Sequence, residues 1–401
     1  MIKYKKIFIT LFFLFSLFLM ISSVSSADYY VNEGTTYKNI TDWMINDAKT
    51  GNNLIFNTSS YNLTDQLIIN KSINIKSYKN THINFIQEED MWCMFEINAK
   101  NSFTYEGKNT VLISGLTLNH YGNGDTIDYS GGKFGTTISG SHNARVDIKN
   151  TIVNTNLING SSIEIREGNI LNSTFNSKSY GVLAFYWKGN IINSRINAKG
   201  NGLSSYYNRG YWNGNMINTT IISGKSGVEV IVWKGKITNS TIHSKGSKSD
   251  GISIKYTEGS IYRSKIISKN GYAVKISEVA KITKSSLSSG KGLSKTYKYL
   301  PDLKIDSAFI YGRTAYISIS NIGYSSSKPC QIGLKIGKTL KKAHVKSIKP
   351  FHLNFNLKNT ITVKIILPKK LVNDKLKTVK VDYYNKNKEL NKKNNVFKFI
   401  L

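Results

Sequence analysis

Two carboxylates and an amine in one glycine-rich stretch are the residues best placed to do chemistry in this chain. In "GNGDTIDYSGGK", Asp125, Asp128 and Lys133 lie close together. Paired carboxylates can divide acid and base roles in glycoside hydrolysis, and several aspartates can hold Ca²⁺ beside a basic residue. A Gly-rich excursion from a regular scaffold is where such a site would be carried. The alternative is a polar turn in an irregular coil, and the remaining residues favour it. Acids are few, 24 against 55 basic residues. Among the repeat units described below, only Glu167 and Glu258 share a position as carboxylates, and four coils separate them. The run Glu88, Glu89, Asp90 has no partners, and none of the six histidines pairs with another at metal-ligand spacing. Phosphate loops, nucleophile elbows and "HExxH" are missing. We therefore expect no catalytic residue, no cofactor and no metal.

The elements that position these residues are repetitive. Aligned on one glycine, "EGNILNSTF", "KGNIINSRI", "NGNMINTTI", "KGKITNSTI" and "EGSIYRSKI" recur with glycines at 168, 189, 214, 235 and 259, and a degenerate copy begins at Ala280. Such a period marks a solenoid. Short Ile/Val runs alternate with Asn, Ser, Thr and Lys, leaving no room for a helix in each unit, so each unit reads as strand, turn, strand, turn. That is the pattern of a parallel β-helix. No coil can bury its apolar side alone, so Ile191 must lie over Met216 or Ile217, and these over Ile237. Trp187, Trp212 and Trp233 share a register, as an internal aromatic ladder or as an exposed platform for sugars. Asn172, Asn193, Asn218 and Asn239 share another, where amides of adjacent coils can bond and satisfy turns. Upstream strands run through "QLIINKSINIKS", "NTHINFIQ", "WCMFEINA", "NTVLISGLTLNH", "ARVDIKNTIV" and "SSIEIREGNI". At about 22 residues per coil, residues 54–295 make roughly eleven coils, about 50 Å long. Before them, "ITDWMINDAKTG" places Ile40, Trp43, Met44 and Ala48 on one helical face, with Thr41 as N-cap and Gly51 as stop. This helix would cover the open end of the first coil.

All four prolines, Pro301, Pro329, Pro350 and Pro368, fall at or beyond residue 301, which puts a boundary near 300. After it, "TAYISIS", "CQIGLKI", "HLNFNL", "TITVKIIL" and "TVKVDYY" alternate as strands of a small antiparallel sandwich. Residues 1–27 read as a secretory signal: Lys3, Lys5 and Lys6, an apolar run from Ile7 to Ile21, then Ser25 and Ala27 at a small-residue cleavage site. An uncleaved anchor is the alternative, with no transmembrane segment in the mature chain. Cys93 and Cys330 fall in different domains, so packing and not a disulfide framework must supply stability. Sequons at Asn39, Asn57, Asn62, Asn70, Asn159, Asn172, Asn218 and Asn239 become meaningful in an exported chain. The net charge of +31 falls to +28 without the three leader lysines and favours polyanionic partners. Nucleic acid is the less accessible of these outside the cell. The lysines are spread singly, as on solvated strand faces.

The opening "YKNITDWMINDAKTGNNLIFNTSSYNLTDQLIINKSINIKS" resembles adhesin-like proteins of gut methanogenic archaea, in which a short helix leads into a right-handed, pectate-lyase-like β-helix; the likeness spans most of residues 35–295. The C-terminal part resembles the cell-adhesion-related CARDB family of Ig-like modules in "PDLKI", "YISISNIGYSSSKPCQIGLKI" and "VDYYNKNKELNKKNN". Asp382, Glu389, Asn394 and Asn395 fall at that family's acidic and Asn-Asn ending, but Lys392 and Lys393 replace its usual acid, against a shared cation site. The expectation is an all-β protein: signal peptide 1–27, β-helix 28–300 with an N-terminal capping helix, and an Ig-like sandwich 301–401. It would be secreted or held at the cell surface as a non-catalytic adhesin. Its partners would be cell-envelope polymers, glycans or host and microbial cell surfaces. The rival reading is a polysaccharide lyase or glycoside hydrolase on the same scaffold.

Overall fold

The computed structural model describes residues 28–88, 91–98, 108–122, 135–141, 143–205, 210–257, 259–277, 281–290, 296–323, 325–350, 359–369 and 376–400. The expected leader, "HLNFNL", Ala280, Glu258, Glu89, Asp90 and the trio Asp125, Asp128 and Lys133 lie outside the described residues.

Strands take 57% of the chain and helices 4%, so sheet register positions almost every side chain. The larger unit is a parallel β-solenoid of about nine turns. Its strands form one 22-stranded sheet and one 10-stranded sheet, every pairing parallel between successive coils. The expectation of eleven coils is too high. It assumed a constant period, whereas equivalent positions are 22 and 21 residues apart in some coils but 35 apart from Asn84 to Asn119 and again from Asn119 to Asn154.

The interior is built from two ladders. In one, Ile113, Ile148, Ile170, Ile191, Met216, Ile237 and Ile261 lie in register. All are fully buried, and each contributes on the order of 2 kcal/mol of apolar transfer. Met216, not Ile217, takes the inward position because the pleat turns alternate residues outward. In the other, Leu118, Val153, Phe175, Ile196, Ile221, Ile242 and Ile266 line the inner face of the 10-stranded sheet.

Trp187, Trp212 and Trp233 are fully buried. Their rings stack at 5.8 and 5.7 Å, tilted by 13° and 17°. The indole nitrogens donate to the carbonyls of Gly168, Gly189 and Gly214 at 3.1, 3.0 and 3.1 Å. The three tryptophans are therefore an internal ladder, and the sugar-platform alternative is excluded. The repeated glycine two residues on is demanded by packing: a Cβ at Gly214 would sit 1.7 Å from the Gly189 carbonyl oxygen. Asn172, Asn193, Asn218 and Asn239 adopt the left-handed conformation, φ 49 to 51°, and side-chain amides bond between coils from Asn172 Nδ2 to Asn150 Oδ1 at 3.3 Å and from Asn218 Nδ2 to Asn193 Oδ1 at 3.2 Å. Their role is to turn the corner between sheets.

The helix covers Tyr37–Asn46 and buries Ile40, Trp43 and Met44. Its N-cap is Thr36 in a capping box with Asn39, not Thr41, whose hydroxyl instead donates to Lys38 O at 3.0 Å inside the first turns. Asp47 is the C-cap, with Ala48 buried just beyond and Gly51 in a later turn at φ 92°. Trp43 stacks on Tyr29 at 5.0 Å. No described helix is long and apolar enough to cross a membrane.

After Leu303 the pairing becomes antiparallel, in a 3-stranded and a 4-stranded sheet that share a second apolar cluster. The expected strands appear at Thr314–Asn321, Cys330–Ile336 and Thr360–Ile366. "TVKVDYY" gives Leu376–Lys380 only, because Asp382 turns the chain at φ 47°. Leu303–Tyr311, Thr339–Val345 and Val396–Ile400 complete the sheets. Cys93 and Cys330 are both buried and unpaired, one in each unit.

Candidate functional site

Each strand of the 10-stranded sheet is about four residues long, with positions two and four inward and positions one and three outward. The tetrapeptides "SYNL", "HINF", "TLNH", "IVNT", "TFNS" and "RINA" all carry Asn at the third position. Parallel register stacks them into one row, Asn62, Asn84, Asn119, Asn154, Asn176 and Asn197. Each Nδ2 donates to the Oδ1 of the preceding coil at 3.0, 2.9, 2.8, 2.9 and 2.8 Å. An amide offers two donors and two lone pairs. Asn119, Asn154 and Asn176 each spend one of each along the row, leaving an N–H and a lone pair directed away from it.

Beside this row the fourth positions Thr155, Ser177, Ala198 and Ser223 are small and turned inward, so the surface dips into a groove. Its far wall is Tyr121, Asn156, Lys178, Lys199, Gly224 and Lys245, and its volume is about 550 Å³. It crosses six coils, about 24 Å at the strand spacing. Among the described residues no acidic side chain lines it.

The 22-stranded sheet carries a different row. Glu96, Ser139, Glu164, Leu183, Ser204, Glu229, Ser253 and Lys275 are in register on successive coils. The expectation that only Glu167 and Glu258 share a carboxylate position is thus corrected: Glu96, Glu164 and Glu229 all lie outside the segments aligned on the glycine. Burial pushes the Glu164 carboxyl up, against the pull of Arg166. Glu96 accepts from Asn98 Nδ2 at 3.0 Å and from Gln66 Nε2. Glu229 accepts from Asn201 Nδ2 at 3.1 Å.

Other polar groups serve structure. Glu167 is bonded to Lys108, which holds its carboxyl below the ordinary range, and lies 3.5 Å from Arg145. Arg145 grips Asp147 through two nitrogens at 2.8 and 2.9 Å. His120 is fully buried beside Phe85, its Nδ1 3.3 Å from Thr137 Oγ1, and desolvation pushes its imidazole down to about 3. In the C-terminal unit Asp382 accepts from the backbone of Lys386 and Asn387, both at 2.8 Å. Glu389 accepts from Leu303 N at 2.8 Å and Asn395 Nδ2 at 2.9 Å, and Asn394 Nδ2 donates to Asp302 at 2.8 Å. These residues latch the end of the unit to its beginning. Among the described residues no group of three His, Cys, Asp or Glu side chains is arranged to hold a metal.

No protein-family model, curated protein or solved structure matches the chain. The site is therefore judged on its geometry: a long amide-lined groove with basic residues along one wall can hold a polymer by hydrogen bonds and charge. The signal that would have revealed it is the x-apolar-Asn-x tetrapeptide, which recurs through both long and short coils.

Proposed function

We propose that the chain is an exported, non-catalytic, adhesin-like surface protein whose solenoid binds a linear glycan of a cell envelope or cell surface. The observation that carries this reading is the asparagine row beside a six-coil groove. A flat amide row hydrogen-bonds hydroxyls without sharp selectivity, and a straight groove suits an extended chain. Residues 1–27 act as the secretory leader. The helix Tyr37–Asn46 shields the first coil, whose strand edges would otherwise recruit another chain. Residues 301–401 form an Ig-like module of the CARDB kind, with a spacing or attachment role at the surface. In the archaeal adhesin-like proteins that the opening stretch resembles, a short helix likewise leads into the β-helix. The test is a glycan array and wall-polymer pull-down on mature protein, with Asn154→Ala/Asn176→Ala beside wild type. Retention lost in the double variant supports the reading, and retention unchanged contradicts it.

A second reading rests on Glu96 and Glu164. Two coils apart, their positions are separated by about 9.6 Å, near the upper end of the spacing used by inverting glycosidases. With its pKa raised, Glu164 would be the general acid. Reducing-sugar release by the mature protein, abolished in Glu164→Gln, would install this reading in place of the first.

A further inference from the structure

The lysines that look scattered in sequence are aligned in space. Ser177, Ala198, Ser223, Ser244 and Ser268 are in register at the ends of successive strands. The next residues, Lys178, Lys199, Gly224, Lys245 and Lys269, therefore occupy one corner of five coils. Their backbones bond coil to coil, as in Lys199 N to Ser177 O at 3.0 Å and Lys245 N to Ser223 O at 2.9 Å. All four lysines are exposed, and Lys178, Lys199 and Lys245 form the groove wall opposite the asparagines. No described carboxylate is ion-paired with them. His243, whose position follows the asparagine row, is held below its ordinary pKa by burial and then by Lys245 and Lys265.

Adjacent coils are about 4.8 Å apart, within the roughly 8 Å screening length of physiological salt, so neighbouring ammonium groups repel one another. An anionic chain lying along the corner relieves that repulsion at each lysine-bearing coil it spans. Nucleic acid would instead call for aromatic platforms to stack its bases. Among the described residues, Tyr121 is the one aromatic side chain lining the groove, at its end.

We propose that the groove selects a linear anionic polysaccharide, with carboxylate or sulfate groups on Lys178, Lys199 and Lys245 and ring hydroxyls on Asn119, Asn154 and Asn176. This rests on the glycan-binding reading and narrows it by charge.

The test is calorimetric titration of the mature protein with an oligomannuronate of about ten residues, enough to span the groove at the coil rise. Its methyl ester and an oligo-dT of similar length are titrated alongside, at about 50 and 500 mM salt. The oligomannuronate is expected to bind, more weakly at high salt, with the ester at least about tenfold weaker. Lys178→Gln/Lys199→Gln/Lys245→Gln should lose about tenfold in affinity and most of the salt dependence while keeping its thermal midpoint. Equal binding of acid and ester, unaffected by the triple variant, overturns the charge selection and leaves the glycan reading standing. Oligo-dT binding as tightly as the saccharide overturns the choice of polymer. Failure of both saccharides to bind removes the two readings together.

Discussion

Trp212 donates its indole N–H to the Gly189 carbonyl at 3.0 Å, while its ring lies 5.7 Å from that of Trp233 at 17°. The tryptophan row thus ties each coil to the one before through a hydrogen bond and to its neighbours through ring contact. Trp212→Ala would remove both and leave a cavity, costing roughly 3 to 5 kcal/mol. A urea melt of the variant should show this loss, with near-UV dichroism changed and glycan retention kept at temperatures where the variant is folded.

The corner beside the indole is equally intolerant. In Gly214→Ala the new methyl would meet the Gly189 carbonyl oxygen at 1.7 Å, where backbone and not a flexible side chain must move. We expect a loss on the order of 3 kcal/mol, as for other strained backbone sites. Ala substitution at Gly312, which has open space around it but φ 57°, should cost less, about 1 kcal/mol. Matched thermal melts of the two variants check the order.

His120 makes stability depend on pH. Its charged form is excluded by burial, so its folded pKa is about 3. The unfolded value is about 6.5. Between these the unfolded chain holds the extra proton, so stability is whole above about pH 6.5 and falls on acidification by about 1.4 kcal/mol per pH unit. His120→Leu, which keeps the apolar contact with Phe85, should flatten that slope. Urea melts at about pH 7.5, 6 and 5 measure it, and equal slopes in both proteins would remove His120 as the cause.

Residues 301–401 should fold when expressed alone, since Leu303, Ile317, Ile332, Leu334, Val345 and Val379 belong to a cluster of their own. Dispersed amide resonances are expected. A random-coil spectrum would show that this cluster depends on the solenoid.

The solenoid was legible because glycine, aromatic and Ile positions recur together between Gly168 and Gly259. That local context is the register itself. The asparagine groove was not, although its tetrapeptides are as regular, because Asn62, Asn84 and Asn119 lie in coils without the glycine marker and two intervals stretch to 35 residues. The lysine corner is visible only once the strands are stacked: Lys178 and Lys199 follow Ser177 and Ala198, but nothing in their neighbours announces a shared face. Thr36 was missed as a cap because its partner is Asn39, not the Glu or Gln of the usual capping box.

The most direct test of the account is how affinity depends on ligand length. Oligomannuronates of increasing length would be titrated into the mature protein at fixed low salt. If the ligand lies along the asparagine row and lysine corner, affinity should climb with each added residue and level off once the groove's six coils, about 24 Å, are filled. An affinity already complete at the disaccharide would mean a local pocket, and would contradict binding along the groove.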